Sequence, residues 1–281
     1  MKKYIIISLL FSFISFSSLE CKVDEINNEN YTEELSYLKI KDEKIYKSYL
    51  LADDKGEILI QDNIYDVLPI ASLTKIMTAM VVLDNIENLN EKVKVDKYES
   101  KIPYGVRLKE NSKYTIYELL NFMLIKSSNS SAQVLADSVS NDFPELMNKK
   151  AQEIGATSAH FCTPHGLPPK YTNTCVDEAS ASDIYLISKY AIENYPLIAE
   201  ITSTKHKNIA NKNLENTNDL LGDYPGIVGI KTGFHNLAGY NISILYENND
   251  KKLYEVILGS DSSEYRSLIS TTVLSKFGGN E

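Results

Sequence analysis

Beyond its first 20 residues the sequence has no apolar run approaching the roughly 20 residues that a membrane-crossing helix needs, so no later membrane segment is expected. Positive charge is also in short supply. Lys and Arg number 29 against 38 Asp and Glu, and the net charge of −9 is spread without long single-sign runs. That balance excludes the basic face with which nucleic-acid binders neutralise phosphates. Histidine is scarcer still. His160, His165, His206 and His235 show no His-Glu-x-x-His or other compact ligand spacing, which disfavours a zinc peptidase and leaves them as hydrogen-bonding loop residues. No metal and no cofactor are expected. Internal repeats and low-complexity tracts are absent too, which leaves one globular unit with the length to be bilobed.

The chain opens with MKKYIIISLLFSFISFSSLEC, a basic start, an apolar run from Tyr4 to Phe16 and then small polar residues. This is the layout of a signal peptide over residues 1–20, so the protein is expected to be exported to the periplasm or cell envelope. Cys21 directly follows and offers a lipid-anchor site as the minor alternative, since its neighbours Leu19 and Glu20 fit acylation poorly. Residues 21–43, polar and rich in Asn and Glu, read as a flexible tether ahead of a folded domain over 44–281. Cys162 and Cys175, thirteen apart in a loop-like region, either pair in an oxidising compartment or are two unrelated small buried residues.

KIYKSYLLADDKGEILIQD holds two β-like runs around Asp53-Asp54-Lys55-Gly56, and GYNISILYENNDKKLYEVILGS repeats the pattern around Asn248-Asn249-Asp250. Between these hairpins the periodicity is helical, in LTKIMTAMVVLDNI, TIYELLNFMLIKSSNSSAQVLADSV, FPELMNKKAQEIG and SASDIYLISKYAIENY. Thr115 or Ser112, Pro144, and Ser180 or Ser182 are the helix-start signals. The pattern predicts a mixed α+β (α/β) fold: an antiparallel sheet assembled from the N- and C-terminal hairpins, flanked by helices, with a mostly helical lobe inserted.

Three short motifs could carry chemistry. Ser-x-x-Lys occurs twice, but Ser36/Lys39 sits in the charged tether, whereas Ser72/Lys75 follows Pro69 and precedes the apolar IMTAMVVL. Ser72 is therefore placed at a helix start with Lys75 one turn on, where the positive potential of the helix end lowers a lysine's pKa. Lys231, Thr232 and Gly233 form the only Lys-Thr-Gly, ahead of a predicted strand. An ammonium, a hydroxyl and a close-approaching backbone in line there suit a small carboxylate. Ser127 and Asn129 give the only Ser-x-Asn, after the apolar LLNFMLI. Each motif alone is as well explained by capping, a turn or a helix break.

Together, in this order and 55 and then 104 residues apart, they form the set shared by class A β-lactamases and penicillin-binding proteins. With the blocks IASLTKIMTA, LLNFMLIKSSNSSAQVLAD, FCTPHGL, TNDLL and GIKTGFHNLAGYN, the chain resembles the serine-type D-Ala-D-Ala carboxypeptidases over residues 44–278. These are the low-molecular-mass penicillin-binding proteins of peptidase family S11. The resemblance implies a β-lactamase/transpeptidase-like fold and an enzyme of peptidoglycan metabolism acting on stem peptides, with β-lactam antibiotics as covalent inhibitors and a part in cell-wall organisation and cell shape. It assigns Ser72 as nucleophile, Lys75 as general base, Ser127 as proton relay and Asn129 as the residue that positions the substrate amide. Lys231 would bias the local field, and Thr232, beside Gly233, would bind the terminal carboxylate with support from Arg266. The backbone N–H groups of Ser72 and Phe234 would hold the oxyanion.

Ser130 and Ser131 replace the Asp-Ala common after Ser-x-Asn, and Thr163 replaces a frequent Asn; these touch capping and loop shape more than chemistry. The sequence stops 15 residues after Arg266, so the resemblance implies a compact form lacking the C-terminal β-rich domain and membrane anchor of many relatives. Compact relatives cleave D-alanyl cross-links, which makes DD-endopeptidase activity the main alternative. A β-lactamase would need an added carboxylate, for which Glu215 is the tempting but late candidate. A non-catalytic envelope sensor would have no need to keep Ser72, Lys75, Ser127 and Lys231.

Overall fold

The computed structural model describes residues 39–40, 43–248 and 251–278. The leader, Cys21, Ser36 and positions 249–250 of the second hairpin turn lie outside the described residues.

Five strands form one antiparallel sheet: β1 (Ser48–Asp53), β2 (Ile58–Asp62), β3 (Ile227–His235), β4 (Gly239–Asn248) and β5 (Lys251–Ser260), in the order β3-β4-β5-β1-β2. The two predicted hairpins thus meet, β5 pairing with β1 from Leu253 opposite Asp53 to Leu258 opposite Ser48. In the first turn, Asp53 Oδ1 accepts the Lys55 and Glu57 N–H groups at 2.9 and 2.8 Å, the local bonding that suits Asp to turns. Both sheet faces are covered. Because successive side chains point to opposite faces, Tyr49 and Leu51 of β1 join one core cluster while Leu50 and Ala52 join the other.

Among the described residues, seven helices of seven or more residues pack around this sheet, apart from the single turn Pro169–Thr172: α1 (Thr74–Asn85), α2 (Ile116–Ile125), α3 (Asn129–Val139), α4 (Phe143–Ile154), α5 (Ala181–Asn194), α6 (Pro196–Thr202) and α7 (Ser263–Phe277). The larger cluster joins α1 to α6 to one sheet face, and α7 covers the other through Ile269, Val273 and Leu274. Of the paired start signals, Thr115 and Ser180 are the caps, each in a capping box with the acid three residues on, Glu118 and Asp183. Pro144 stands in the first turn of α4. The stretch from Thr115 to Val139 reads as continuous by periodicity but is two helices, broken at 126–128.

Under α7 the sheet carries a buried carboxylic acid. Glu255 accepts the Tyr49 hydroxyl at 2.6 Å with both residues fully buried, and burial pushes its pKa up to about 7. Its protonated form is therefore favoured by folding, and stability falls as pH rises from its unfolded value toward 7, by roughly 3 kcal/mol. Glu255→Gln keeps an acceptor for Tyr49 without the charge. We expect its thermal midpoint to exceed the wild type's at pH 8 and to converge with it near pH 4.

Candidate active site

The chain reaches α1 through a strained turn. Leu68–Pro69 pairs with Glu178–Ala179, Ile70 N–H donates to the Asp177 carbonyl at 3.0 Å, and Ala71 then takes a φ of 49°, a left-handed conformation unfavourable for a residue with a Cβ. A single 3₁₀ turn, Ala71–Leu73, leads into α1. No side chain caps this start, so the Ser72 hydroxyl is not spent on the helix and lies 2.8 Å from Lys75 Nζ.

Lys75 is fully buried and has two other near neighbours, Asn129 Oδ1 at 2.7 Å and the His165 carbonyl at 2.6 Å. Asn129 Nδ2 donates to the Pro103 carbonyl at 2.7 Å, which fixes the amide so that its oxygen faces the lysine. Both neighbours can only accept. A neutral amine has two N–H donors and one lone pair, so in that form Lys75 can donate to these two acceptors and turn its lone pair to Ser72 Oγ. Burial, and secondarily the Lys231 ammonium, hold the Lys75 pKa well below the ordinary lysine value.

The Ser-x-Asn segment owes its position to the break between α2 and α3. Ser128 caps α3 by accepting the Ser131 N–H at 3.2 Å, and Ser127 just before it has a φ of 56°. Ser130 and Ser131, the departures from the family pattern, serve this cap: Ser131 Oγ donates to Ser128 Oγ at 2.8 Å and Ser130 Oγ to the Val106 carbonyl at 3.1 Å. Gly105, itself at φ 78°, packs so tightly here that a Cβ would lie 2.4 Å from Ser128 Cα.

Strand β3 closes the opposite wall. A Cβ on Gly233 would meet the Ile70 carbonyl oxygen at 2.8 Å and Ser72 N at 3.1 Å, so only glycine lets this strand rest on the turn that carries Ser72. Lys231 is 1% exposed; its Nζ donates to its neighbour's carbonyl, Thr232 O, at 2.9 Å and reaches Thr217 Oγ1 at 3.5 Å. Burial and the nearby Arg266 bring its pKa down to about 7. Thr232 Oγ1 donates to Thr217 Oγ1 at 2.7 Å. Arg266, in the first turn of α7, is 4% exposed; Nη1 reaches the Asn241 carbonyl at 3.4 Å and Nε has no hydrogen-bond partner among the described residues.

The floor is the FCTPHGL loop, organised by a residue that no sequence pattern singled out. The buried Asp177 accepts from the N–H groups of Cys162 and Thr163, from Thr163 Oγ1 at 2.6 Å and from Thr74 Oγ1 at 3.3 Å, which ties the loop to α1. Burial pushes its pKa up to about 6. His165 N δ1 accepts the Leu167 N–H at 3.1 Å, and burial lowers its pKa to about 3, so the ring is neutral. Cys162 and Cys175 are joined by a disulfide with Cα atoms 5.7 Å apart. Their sulfurs and His160 make the one His/Cys/acid trio gathered within 4.8 Å among the described residues, but both sulfurs are engaged in the bond.

Ser72, Ser127, Asn129, Thr232, Gly233, Phe234 and Arg266 line a single cleft of about 880 Å³, with Lys75 and Lys231 buried against its walls. Sequence reading missed Thr217, which also lines it; the only available signal was its place in the TNDLL block. A serine set on a buried lysine amine, ringed by Ser-x-Asn and Lys-Thr-Gly between a five-stranded sheet and a helical lobe, defines the class of the penicillin-binding serine enzymes. The chain belongs to the Peptidase S11 family, D-alanyl-D-alanine carboxypeptidase, whose profile matches residues 39–262.

Among its relatives is a D-alanyl-D-alanine carboxypeptidase of Bacillus subtilis, 26% identical over 80% of this chain and 60% of that one. A D-alanyl-D-alanine endopeptidase of Escherichia coli is 31% identical over 80% of this chain and 77% of its own length. The crystal structure of penicillin-binding protein D2 from Listeria monocytogenes in its ampicillin-bound form superposes with a TM-score of 0.71 at 28% identity, covering 84% of this chain and all of that one. The chain thus spans well under two thirds of the Bacillus enzyme and most of the other two.

The contact of β3 with the turn that carries Ser72 gives a direct test. Gly233→Ala pushes the strand off Ser72, and a displacement of about 1 Å costs on the order of 100-fold in rate. We expect acylation by benzylpenicillin to slow by that factor, measured by stopped-flow, with the circular dichroism of the fold retained.

Proposed function

We propose that the protein is a serine DD-peptidase of peptidoglycan metabolism, a D-alanyl-D-alanine carboxypeptidase working through an acyl-enzyme on Ser72 and inhibited by β-lactams. The observation that carries this reading is the placing of a fully buried Lys75 Nζ 2.8 Å from Ser72 Oγ, with Asn129 Oδ1 and the His165 carbonyl to take its other N–H groups.

Lys75 takes the Ser72 proton as Oγ bonds to the carbonyl carbon between the two D-alanines. The oxyanion is held by the Ser72 and Phe234 N–H groups, a pairing supported by the close approach of Gly233, the neighbour of Phe234, to Ser72 N. As the C–N bond breaks, Ser127 relays the proton taken from Ser72 on to the departing D-alanine amine, and water then attacks the ester, giving one proton through Lys75 back to Ser72 Oγ as the acyl group leaves as a carboxylic acid. Asn129, fixed between Lys75 and Pro103, positions the substrate amide. Thr232 and Arg266, a buried cation with an unpaired Nε, receive the terminal carboxylate.

Kinship with both a carboxypeptidase and an endopeptidase supports cross-link cleavage as the second reading, since both reactions attack the same carbonyl and differ in the departing amine. A β-lactamase reading loses its carboxylate: Glu215 is the exposed last residue of the strand Lys212–Glu215 and is not among the cleft-lining residues. The envelope location rests on the leader-like residues 1–20; among the described residues no helix is long and apolar enough to cross a membrane.

Purified protein, incubated with a stem pentapeptide and with a cross-linked muropeptide, is expected to release D-alanine or open the cross-link in a penicillin-sensitive way. Ser72→Ala should abolish both, and undiminished release would refute the mechanism. The Lys231 charge lowers the Lys75 pKa, so its removal raises it. In Lys231→Gln the ascending limb of the pH profile for acylation should therefore move to higher pH.

A further inference from the structure

Part of the cleft is built from segments distant in sequence: Tyr104 beside Gly105, residues 167–171 on the disulfide-closed loop, and the tip of β3 at 234–237. The Tyr104 and Tyr171 hydroxyls are 2.7 Å apart and their rings meet edge to face at 5.8 Å, which latches two loops together at the cleft mouth. Lys170 Nζ lies 4.8 Å over the Tyr171 ring, a cation–π contact that keeps an exposed side chain against this wall. His235 Nδ1 accepts the Ala238 N–H at 3.0 Å, so the neutral ring carries its proton on Nε2. The charges are one-sided: the lining holds Lys126, Lys170 and Arg266 against a single acid, Asp219, in a protein whose net charge is −9.

Strand β3 gives the direction in which a peptide would run. Thr232 marks the end where the terminal carboxylate sits, Gly233 touches Ser72, and His235 lies two residues further, about 7 Å along the strand. A peptide with its scissile carbonyl at Ser72 therefore sets the residue preceding its acyl D-alanine beside His235 and Lys170.

We propose that this part of the cleft is a subsite for a side-chain carboxylate on that residue, bound by Lys170 and by His235 Nε2–H. The assignment rests on the DD-peptidase reading and adds the substrate class. A side chain ending in an ammonium meets a cation and a hydrogen-bond donor there, and is disfavoured. The Tyr104–Tyr171 latch and the disulfide hold Lys170 in place before substrate arrives, which reduces the ordering cost of binding.

The test uses three peptides ending in D-alanyl-D-alanine that differ only at the side-chain terminus of the preceding residue: carboxylate, carboxamide or ammonium. For the wild type, kcat/KM for D-alanine release from the carboxylate peptide should exceed that from the carboxamide by on the order of tenfold, with the ammonium peptide lowest. Lys170→Gln should bring the carboxylate-to-carboxamide ratio close to one, and Lys170→Arg should restore it. Equal rates on the three peptides, a preference for the ammonium, or an unchanged ratio in Lys170→Gln would overturn the subsite. Release from none of them, together with no covalent adduct on benzylpenicillin, would instead overturn the DD-peptidase reading on which it rests.

Discussion

Everything in the cleft depends on making one lysine amine give up its proton more readily than it would in water. In water Lys75 would be an ammonium, useless as a base. Here it has no contact with solvent, sits at a helix start and has a second buried lysine nearby, and these outweigh the opposing pull of the Asp177 carboxylate. Desolvation is the largest of these effects, and it follows from packing rather than from any local motif. The sheet and the helical lobe are the means of excluding water from that one nitrogen.

This exclusion requires backbones to approach more closely than side chains allow. Gly233 lets β3 rest on the turn that carries Ser72, and Gly105 lets the loop of Tyr104 rest on Ser128. The residues on either side then fall into the cleft by default. Two left-handed residues with a Cβ, Ala71 and Ser127, stand immediately before or at the serines that face it, and such conformations persist only where surrounding structure enforces them. Asp177 supplies part of that enforcement by gathering four donors from the floor loop and α1.

Much of this was legible in the sequence where the signal is local. The Asp53 turn, the helix starts near Thr115 and Ser180, and the two strand pairs announce themselves within a few residues, as does the placement of Ser72 and Lys75 at a helix start. Periodicity could not reveal the break at 126–128, because a polar kink between two apolar helices keeps the same spacing on both sides. Asp177 and Thr217 were invisible for a different reason: their partners lie 14 or more residues away, on other elements. The burial of Arg266, which sequence alone left open to a surface reading, likewise depends on α7 folding back across the sheet. Local chemistry marks the elements, and tertiary contact decides what the charged residues do.

The central claim is that burial holds the Lys75 amine well below the ordinary lysine pKa, and it can be measured without substrate. In protein carrying ¹³C at lysine Cε, the Lys75 resonance, assigned by its loss in Lys75→Arg, reports the charge on Nζ as pH is varied. The account predicts a midpoint well below the ordinary 10.5, moving upward in Lys231→Gln. A Lys75 resonance that titrates near 10.5 would contradict it.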